Sequence, residues 1–595
     1  MRNLFVAPRF LARKERSLGM TEASFALLPF FGSGFRIELA IVRQQHTARN
    51  LLYLLPLAFL GLFFFYPLAA VVGESFAPGG RLDLTPVMTL WRQAYFGRAL
   101  WFTTWQAVLS TILTLVIGVP AAFVFARYRF PGKRLLQALT TIPFVMPAMV
   151  VAAAFTALLG PRGWLNGLLA DWLSLSRGPL RLQHTIWLIL LAHAFYNTTV
   201  VVRVVGAFWG NLDPKLSEAA RVLGGNRARV FWEITLPLLV PALAAAALLV
   251  FLFCFTSFGV ILILGGPRFA TLEVEIYRQA VTLFRLPEAA ALSLAQMALT
   301  FLVMAFYTRA QARAAVPLNL RSAEETAQPP VTVGRIAGVG VVVIGLAVFL
   351  IAPLAALAGR SFAAGDPLQY YRELFINRTS SIFYVPPGLA IRNSLLFASL
   401  TTVIALLIGV VTAHLLARDR GWFGRLLDPI VLLPLGTSAV TLGFGYILAL
   451  GHPPLDLRTS PVLVPIAHTL VAFPFVVRTI LPALRGLNPN WCEAAALLGA
   501  SPWRVWREVE LPIVGRAVLV AAVFAFTVSM GEFGATLLIA RPEYPTMPIV
   551  IFRLLGQPGA LNYGQALAMS TLLMLVCTAG FLLIERFRVG GVGEF

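Results

Sequence analysis

Residues Leu238–Leu264 read LLVPALAAAALLVFLFCFTSFGVILIL and contain no charged side chain. An α-helix needs about 20 mostly apolar residues to cross a hydrocarbon core about 30 Å thick. Further stretches of that length carry at most one charged residue each: Leu51–Val72, Ala107–Ala126, Ile336–Leu357 and Ala517–Ala540. The sequence therefore predicts an all-α integral membrane protein.

The composition of the whole chain agrees with this fold class. Its 595 residues are 58% hydrophobic and 12% charged, with a mean hydropathy of +0.81. Soluble domains carry about 25% charged residues, and an outer-membrane β-barrel would show shorter, alternating strands. The net charge of +21 does not predict a nucleic-acid partner, because Lys and Arg collect in the cytoplasmic loops of multi-span proteins. The scattered Cys254, Cys492 and Cys577 form neither a disulfide pattern nor a metal-binding pattern.

We predict about twelve transmembrane helices, six in each half, with both termini in the cytoplasm because most arginine-rich loops then lie inside. The spans of the first half are placed at 51–73, 101–126, 137–160, 185–208, 238–264 and 288–308. Those of the second half are placed at 334–357, 392–417, 428–451, 461–483, 514–540 and 565–584. The resulting segments are a basic cytoplasmic arm 1–49, a first half 50–308, a cytoplasmic linker 309–331, a second half 332–586 and a cytoplasmic tail 587–595.

The two halves are copies of one sequence unit. An offset of 275 positions aligns His193 with His468, and 16 of the 45 pairs that begin at residues 193–237 are identical. Upstream the offset is 291, which pairs Gly118 with Gly409. Six spans return the chain to the side where it began, so the repeats are parallel and related by an axis along the membrane normal. We therefore expect a pathway at the interface between the halves.

The most polar repeated stretch lies in a predicted cytoplasmic loop after the fourth span of each half. It reads LSEAARVLGG from residue 216 and WCEAAALLGA from residue 491. The preceding Asp213-Pro214 and Asn488-Pro489 are typical of helix starts, and a glycine six residues after the glutamate suits a helix end. We predict a short helix, a turn and a second helix, exposed beneath the membrane in both halves.

This loop resembles the EAA loop of ABC importer permeases, in which Glu-Ala-Ala, Gly, Ile or Val, and Leu-Pro follow at fixed spacing. In that family the loop carries a coupling helix that sits in a groove of the ATPase subunit and transmits nucleotide-driven closure to the spans. The coupling residues that the resemblance implies are Glu218, Ala219, Ala220, Gly224, Leu236, Pro237, Glu493, Ala494, Ala495, Gly499, Leu511 and Pro512.

The fused arrangement of two halves is similar to the iron(III)/thiamine branch of these permeases, and Phe255–Gly259 and Ser529–Gly534 carry that likeness. The resemblance implies the type I ABC importer permease fold, with core domains at about 97–307 and 391–584. It further implies a binding-protein-dependent importer of thiamine or ferric iron in the bacterial inner membrane. The implied partners are a pair of identical ABC ATPase subunits, which would bind ATP and Mg²⁺, and an extracytoplasmic solute-binding protein.

The chain itself is expected to hydrolyse no ATP and to need no cofactor. Its Gly132-Lys133 pair is followed by Arg134, where a phosphate-binding loop needs Ser or Thr. We find no catalytic constellation, so the sequence predicts a transporter subunit and not an enzyme. The alternative is a twelve-span secondary carrier driven by an ion gradient. Its support is Gly167–Asp171, which is faintly similar to a loop of the major facilitator family but falls outside the cell in the predicted topology and has no second copy.

Glu532 is the clearest ionisable residue within a predicted span, and Ser257 is its repeat equivalent. An intramembrane carboxylate is costly, so Glu532 either lines the pathway, where it would favour a cationic substrate, or makes a structural hydrogen bond. The neighbouring Phe258 and Phe533 either form a constriction of that pathway or pack in the core. Packing is the favoured role of the histidines within spans: His193, His468 and His414.

Overall fold

A computed structural model describes residues 52–176, 178–314, 328–376, 385–418, 421–451, 453 and 455–587. The predicted arm 1–49, residues 315–327 of the predicted linker and nearly all of the predicted tail 587–595 lie outside these residues. Contacts divide the chain into two units, 1–57 and 58–595. The described residues 52–57 of the first unit are helical, and the packing given below is that of the second unit.

The all-α fold class is confirmed. The helices of the first half are α1 (Leu52–Phe76), α2 (Thr85–Arg92), α3 (Ala94–Arg127), α4 (Lys133–Val145), α5 (Ala148–Leu159), α6 (Trp164–Trp172), α7 (Ile186–Asn211), α8 (Pro214–Val222), α9 (Arg227–Val230), α10 (Leu236–Phe255), α11 (Gly259–Leu264), α12 (Leu272–Tyr277) and α13 (Leu286–Ala314). Those of the second half are α14 (Val333–Ser361), α15 (Gln369–Arg372), α16 (Leu389–Arg418), α17 (Trp422–Leu432), α18 (Ala439–Ala449), α19 (Leu463–Arg485), α20 (Pro489–Leu497), α21 (Pro502–Val505), α22 (Leu511–Gly531), α23 (Gly534–Ile539), α24 (Met547–Gly556) and α25 (Ala560–Phe587).

Among the described residues, 11 helical stretches are long and apolar enough to cross a membrane, and one of them, Ala148–Trp172, runs through α5 and α6. The number becomes 12 if the bent pair Gly424–Gly436 and Ala439–Ala449, which turns by 97°, is taken as one span. About twelve spans were expected, so the length and spacing of the apolar stretches predict this architecture well.

The predicted third span, 137–160, is broken into α4 and α5. A proline ring pushes the residue before it out of the helical region, and Met146 precedes Pro147 with an extended ψ of 136°. The prediction of one continuous helix was wrong here, because apolarity alone does not reveal where the backbone turns.

The predicted limits 238–264 and 514–540 were also wrong, because α10 ends at Phe255 and α22 ends at Gly531. In the second half the physical reason is Glu532, whose backbone is extended, with ψ 127°. Its carboxylate accepts hydrogen bonds from the first free N–H groups of α23, so the chain starts a new helix instead of prolonging α22.

The first helix of each half packs against the other half. The part of α1 from Tyr66 onward lies against α18, and α14 lies against α5, which is the repeat equivalent of α18. Phe349 of α14 meets Phe195 of α7 edge to face, with ring centroids 6.0 Å apart. This exchange interlocks the halves and leaves α11, α12, α18 and α23 near the interface between them.

Within each half, a glycine lets two long helices approach closely. A Cβ on Gly118 of α3 would lie 2.7 Å from the Cβ of Val201, and one on Gly409 of α16 would lie 2.5 Å from a methyl group of Val476. Both valines are buried in α7 and α19, and both pairs occupy matching repeat positions. The close crossing is therefore a feature of the repeat unit.

Replacing Gly118 with alanine is expected to lower the free energy of unfolding by about 1–2 kcal/mol, because overpacking outweighs the gain in helix propensity. Gly97 of the same helix is the matched control, since a Cβ there would meet no atom within 4 Å. Gly97→Ala should leave the stability unchanged or slightly raised. Denaturation of the purified protein in detergent measures both, and equal stabilities of the two variants would contradict the predicted crossing.

Candidate functional site

Two short helices, α8 and α20, occupy the loops that carry the repeated Glu-Ala-Ala stretch. The side chain of Asp213 caps α8 by accepting the N–H of Lys215 at 3.0 Å, and Asn488 caps α20 by accepting the N–H of Asn490 at 3.1 Å. Each helix has proline at its first position, which costs no intrahelical hydrogen bond. The helix starts expected from Asp-Pro and Asn-Pro are confirmed.

Both helices end in the same hydrogen-bonded turn. The N–H of Gly225 donates to the carbonyl of Ala220 at 3.0 Å, and that of Ala500 donates to Ala495 at 3.1 Å. This bond closes only when the residue before the donor adopts a left-handed conformation. Gly224 has φ +90° and Gly499 has φ +86°, so the glycine of the motif is required by the backbone and not by crowding. No atom lies within 4 Å of a Cβ at either of these two glycines.

A second helical turn follows in each loop and leads into the next span. Asn226 and Ser501 cap it, and each copy carries an ion pair at 2.9 Å, Arg229 to Glu233 and Arg504 to Glu508. The chain passes through one turn of π-helix at Phe231–Thr235 and Trp506–Glu510 before α10 and α22 begin at Leu-Pro. The helix–turn–helix arrangement predicted for the loops is confirmed in both halves.

Each loop exposes apolar side chains at the end of its short helix. Val222 and Leu223 are each 87% exposed, and Leu498 is 89% exposed. Glu218 and Glu493 are also exposed. Large apolar side chains in water are costly, and a patch of them marks a surface for a partner. Both loops can therefore receive another protein.

The second loop is tied to its half by an ionic cluster around Glu510. Glu510 is buried, its carboxylate pairs with Arg418, and it lies 3.4 Å from Nδ1 of His414. The thiol of Cys492 in α20 donates to the same carboxylate at 3.6 Å. Burial, and to a lesser extent the charge of Glu510, raises the pKa of this thiol. His414 thus contacts a charged partner, which the interpretation as simple packing did not include.

A cavity of about 160 Å³ lies between the two halves. Its wall includes Phe258 from the first half and Phe533 from the second, whose rings stack with centroids 5.7 Å apart at 23°. Glu273 and Ser438 border it as well. One water needs about 10–15 Å³ by the same measure, so the cavity has room for a small ligand.

Glu532 lies beside this cavity, but its carboxylate is bonded to other groups of the protein. The carboxylate accepts the backbone N–H groups of Ala535 and Thr536 at 2.8 and 3.0 Å, and His468 lies 3.3 Å away. Of the two alternatives for Glu532, these contacts favour the structural one. The hydroxyl oxygen of its repeat equivalent, Ser257, lies 2.9 Å from Nε2 of His193. In both halves, therefore, the residue at this position contacts the histidine at the matching repeat position.

Sequence reasoning missed Glu273, the carboxylate that borders the cavity. Its Oε1 accepts the amide N–H of Gln296 at 3.1 Å, and its Oε2 accepts the hydroxyl of Ser438 from the other half. The repeat equivalent of Glu273 is Pro548, so a search for polar residues shared by the halves passes over it. Its position between the predicted spans 238–264 and 288–308 also hid it.

Comparison with known proteins extends along both halves. The family model of binding-protein-dependent transport system inner membrane components matches residues 115–316 and 405–588. The thiamine transport system permease protein ThiP of Brucella abortus (strain 2308) is 28% identical over 505 residues, which cover 83% of this chain and 88% of that protein. ThiP of Escherichia coli (strain K12) is 25% identical over 84% of this chain and 90% of that protein.

Two further similarities concern a relative and a solved structure. The probable ABC transporter permease protein y4fN of Sinorhizobium fredii is 26% identical over 89% of this chain and 94% of that protein. A solved bacterial ABC transporter involved in alginate import aligns with a TM-score of 0.40 and 20% identity, covering 47% of this chain and 100% of that one. The family model matches well over half of the sequence, once in each half. This chain is a fused, two-half ABC importer permease of the bacterial inner membrane and belongs to the family of binding-protein-dependent transport system inner membrane components.

Proposed function

We propose that this chain forms the translocation pathway of an ATP-driven importer of thiamine. We base the choice of substrate on the similarity, along more than four fifths of the chain, to permeases named for thiamine transport. Of thiamine and ferric iron, the two substrates implied by the sequence, thiamine is therefore the one proposed. The geometry of the two loops supports the ATP-driven mechanism.

In this proposal, each loop receives one of two identical ATPase subunits, which bind ATP and Mg²⁺. The exposed apolar ends of α8 and α20 would enter the ATPase surface, and Glu218 and Glu493 would face it. The Schellman-type turns at Gly224 and Gly499 then hold each short helix at a fixed angle to α10 and α22. Movement of the two ATPase subunits toward each other would draw the halves together below the membrane and rock them apart above it.

A solute-binding protein would deliver thiamine to the outer side, and both termini would lie in the cytoplasm. The stacked Phe258 and Phe533 come from opposite halves, so a rocking motion would separate their rings. We propose this pair as a constriction of the pathway. Ser257 and Glu532 directly precede the two phenylalanines in sequence. Their contacts with His193 and His468 would hold the backbone of the constriction in place.

Uptake of radiolabelled thiamine by proteoliposomes that contain this chain, its ATPase subunits and its binding protein tests the proposal. Accumulation is expected only with ATP inside and binding protein outside. A hydrolysis-deficient ATPase subunit serves as the control and should abolish accumulation. Accumulation driven by an ion gradient without the ATPase would establish the secondary carrier instead, and an ATP-driven complex that ignores thiamine would overturn the substrate alone.

A further inference from the structure

Glu273 is a buried carboxyl group at the interface between the halves. It is 0% exposed and lies in α12, and its polar partners are Gln296 and Ser438, both neutral. Within the described part of the chain, no Lys, Arg or His forms an ion pair with it. Glu275, two residues along the same helix, is also buried but pairs with Arg278 at 3.5 Å. A buried carboxyl group without an ionic partner is costly, and such a group beside a cavity is a candidate for binding a ligand.

The surroundings of Glu273 are those of a binding site. It borders the cavity of about 160 Å³ between the halves, together with the rings of Phe258 and Phe533. Ligand sites combine apolar walls with a few polar groups that fix orientation. Apolar walls also lower the local dielectric, which strengthens the attraction between a carboxylate and a cation. The cavity thus offers one ionisable carboxyl group, which an approaching cation would favour in its charged form, and an apolar surface.

We propose that Glu273 is the residue that binds a small organic cation in this cavity during transport. The inference rests on the proposed function, because it takes the cavity to be part of the pathway. Ser438 covers the carboxylate in this conformation, so a cation that reaches Glu273 replaces the hydroxyl of Ser438 as its partner. Because Ser438 belongs to the other half, this exchange also removes a contact between the halves and favours their separation.

The test measures equilibrium binding to the purified full-length chain in lipid nanodiscs, with radiolabelled thiamine and radiolabelled benzyltrimethylammonium as probes. Glu273→Gln keeps the hydrogen-bonding shape and removes the charge, so it should weaken binding by about tenfold or more. Glu275→Gln is the matched control and should bind as the wild type does. Ser438→Ala removes the competing hydroxyl, together with the cap that this hydroxyl gives the N–H groups of Val440 and Thr441, and the folded fraction of this variant should bind as well or more tightly.

The outcomes separate this inference from the proposed substrate. If benzyltrimethylammonium binds in a Glu273-dependent manner and thiamine does not, the cation site stands and the thiamine assignment falls. Equal binding to wild type and Glu273→Gln, absence of binding for both probes, or equal losses in Glu273→Gln and Ser438→Ala would overturn the cation site.

A second measurement does not depend on the folding of a variant. Dicyclohexylcarbodiimide labels buried carboxyl groups, and peptide mass spectrometry of the wild-type chain reports the labelling of Glu273 and Glu275 separately. Saturating benzyltrimethylammonium should protect Glu273 and leave Glu275 unchanged. Labelling of Glu273 that is indifferent to the cation would overturn the proposal.

Discussion

Replacing Gly224 and Gly499 together with valine is expected to reduce ATP-driven uptake by roughly 100-fold. Residues with a Cβ pay about 1–2 kcal/mol for a left-handed conformation, and both glycines adopt one. The two sites lie in separate loops, so their costs should add to about 2–4 kcal/mol. At 1.4 kcal/mol per factor of ten, the equilibrium ratio of correctly capped to uncapped loops falls by roughly 100-fold, and uptake that depends on the capped form falls by up to that factor.

The space around both glycines is open, so valine strains the backbone without clashing with neighbours. Membrane insertion and the yield of folded protein should therefore persist while uptake and substrate-stimulated ATP hydrolysis fall. Gly515→Val is the matched control, because Gly515 lies at the start of α22 in helical conformation, with no atom within 4 Å of its Cβ position. Undiminished uptake by the double variant would show that the loops do not transmit the motion.

Much of the fold could be predicted because it is repeated and local. The spacing of apolar stretches predicts the spans, and the paired Asp213 and Asn488 predict where α8 and α20 begin. The positive φ of Gly224 and Gly499 also follows from sequence, since a helix that must stop within one turn needs a residue without a Cβ. Each of these patterns occurs at matching positions in both halves, which makes a chance occurrence improbable.

Features that depend on a single copy or on distant contacts could not be predicted. The role inferred for Glu273 depends on its contact with Ser438, which is 165 residues away in sequence and belongs to the other half. The cluster around Glu510 is hidden for the same reason, because His414 and Arg418 come from α16. Hydropathy also did not predict that Glu532 would end α22, because capping depends on where a carboxylate meets free N–H groups.

Glu510→Thr places in the second half the residue that occupies the equivalent position, Thr235, in the first. It is expected to lower the free energy of unfolding by about 2–3 kcal/mol, because the charged acceptor is lost while its donors remain. The side chain of Arg418 is 57% exposed and keeps much of its hydration, which holds the cost below that of breaking a fully buried pair. The side chain of His414 is mostly buried, so water replaces less of the lost interaction there.

The first half shows how the chain tolerates threonine at this position. There, Phe123 stands where the second half has His414, while Arg127 matches Arg418. Adding His414→Phe to Glu510→Thr therefore rebuilds a combination that the chain already contains, and it should recover about 1 kcal/mol or more of the loss. Denaturation of the wild type, both single variants and the double variant in detergent gives the interaction energy. Strict additivity would mean that His414 and Glu510 act independently, and a double variant less stable than the sum would contradict the repeat as a guide to this cluster.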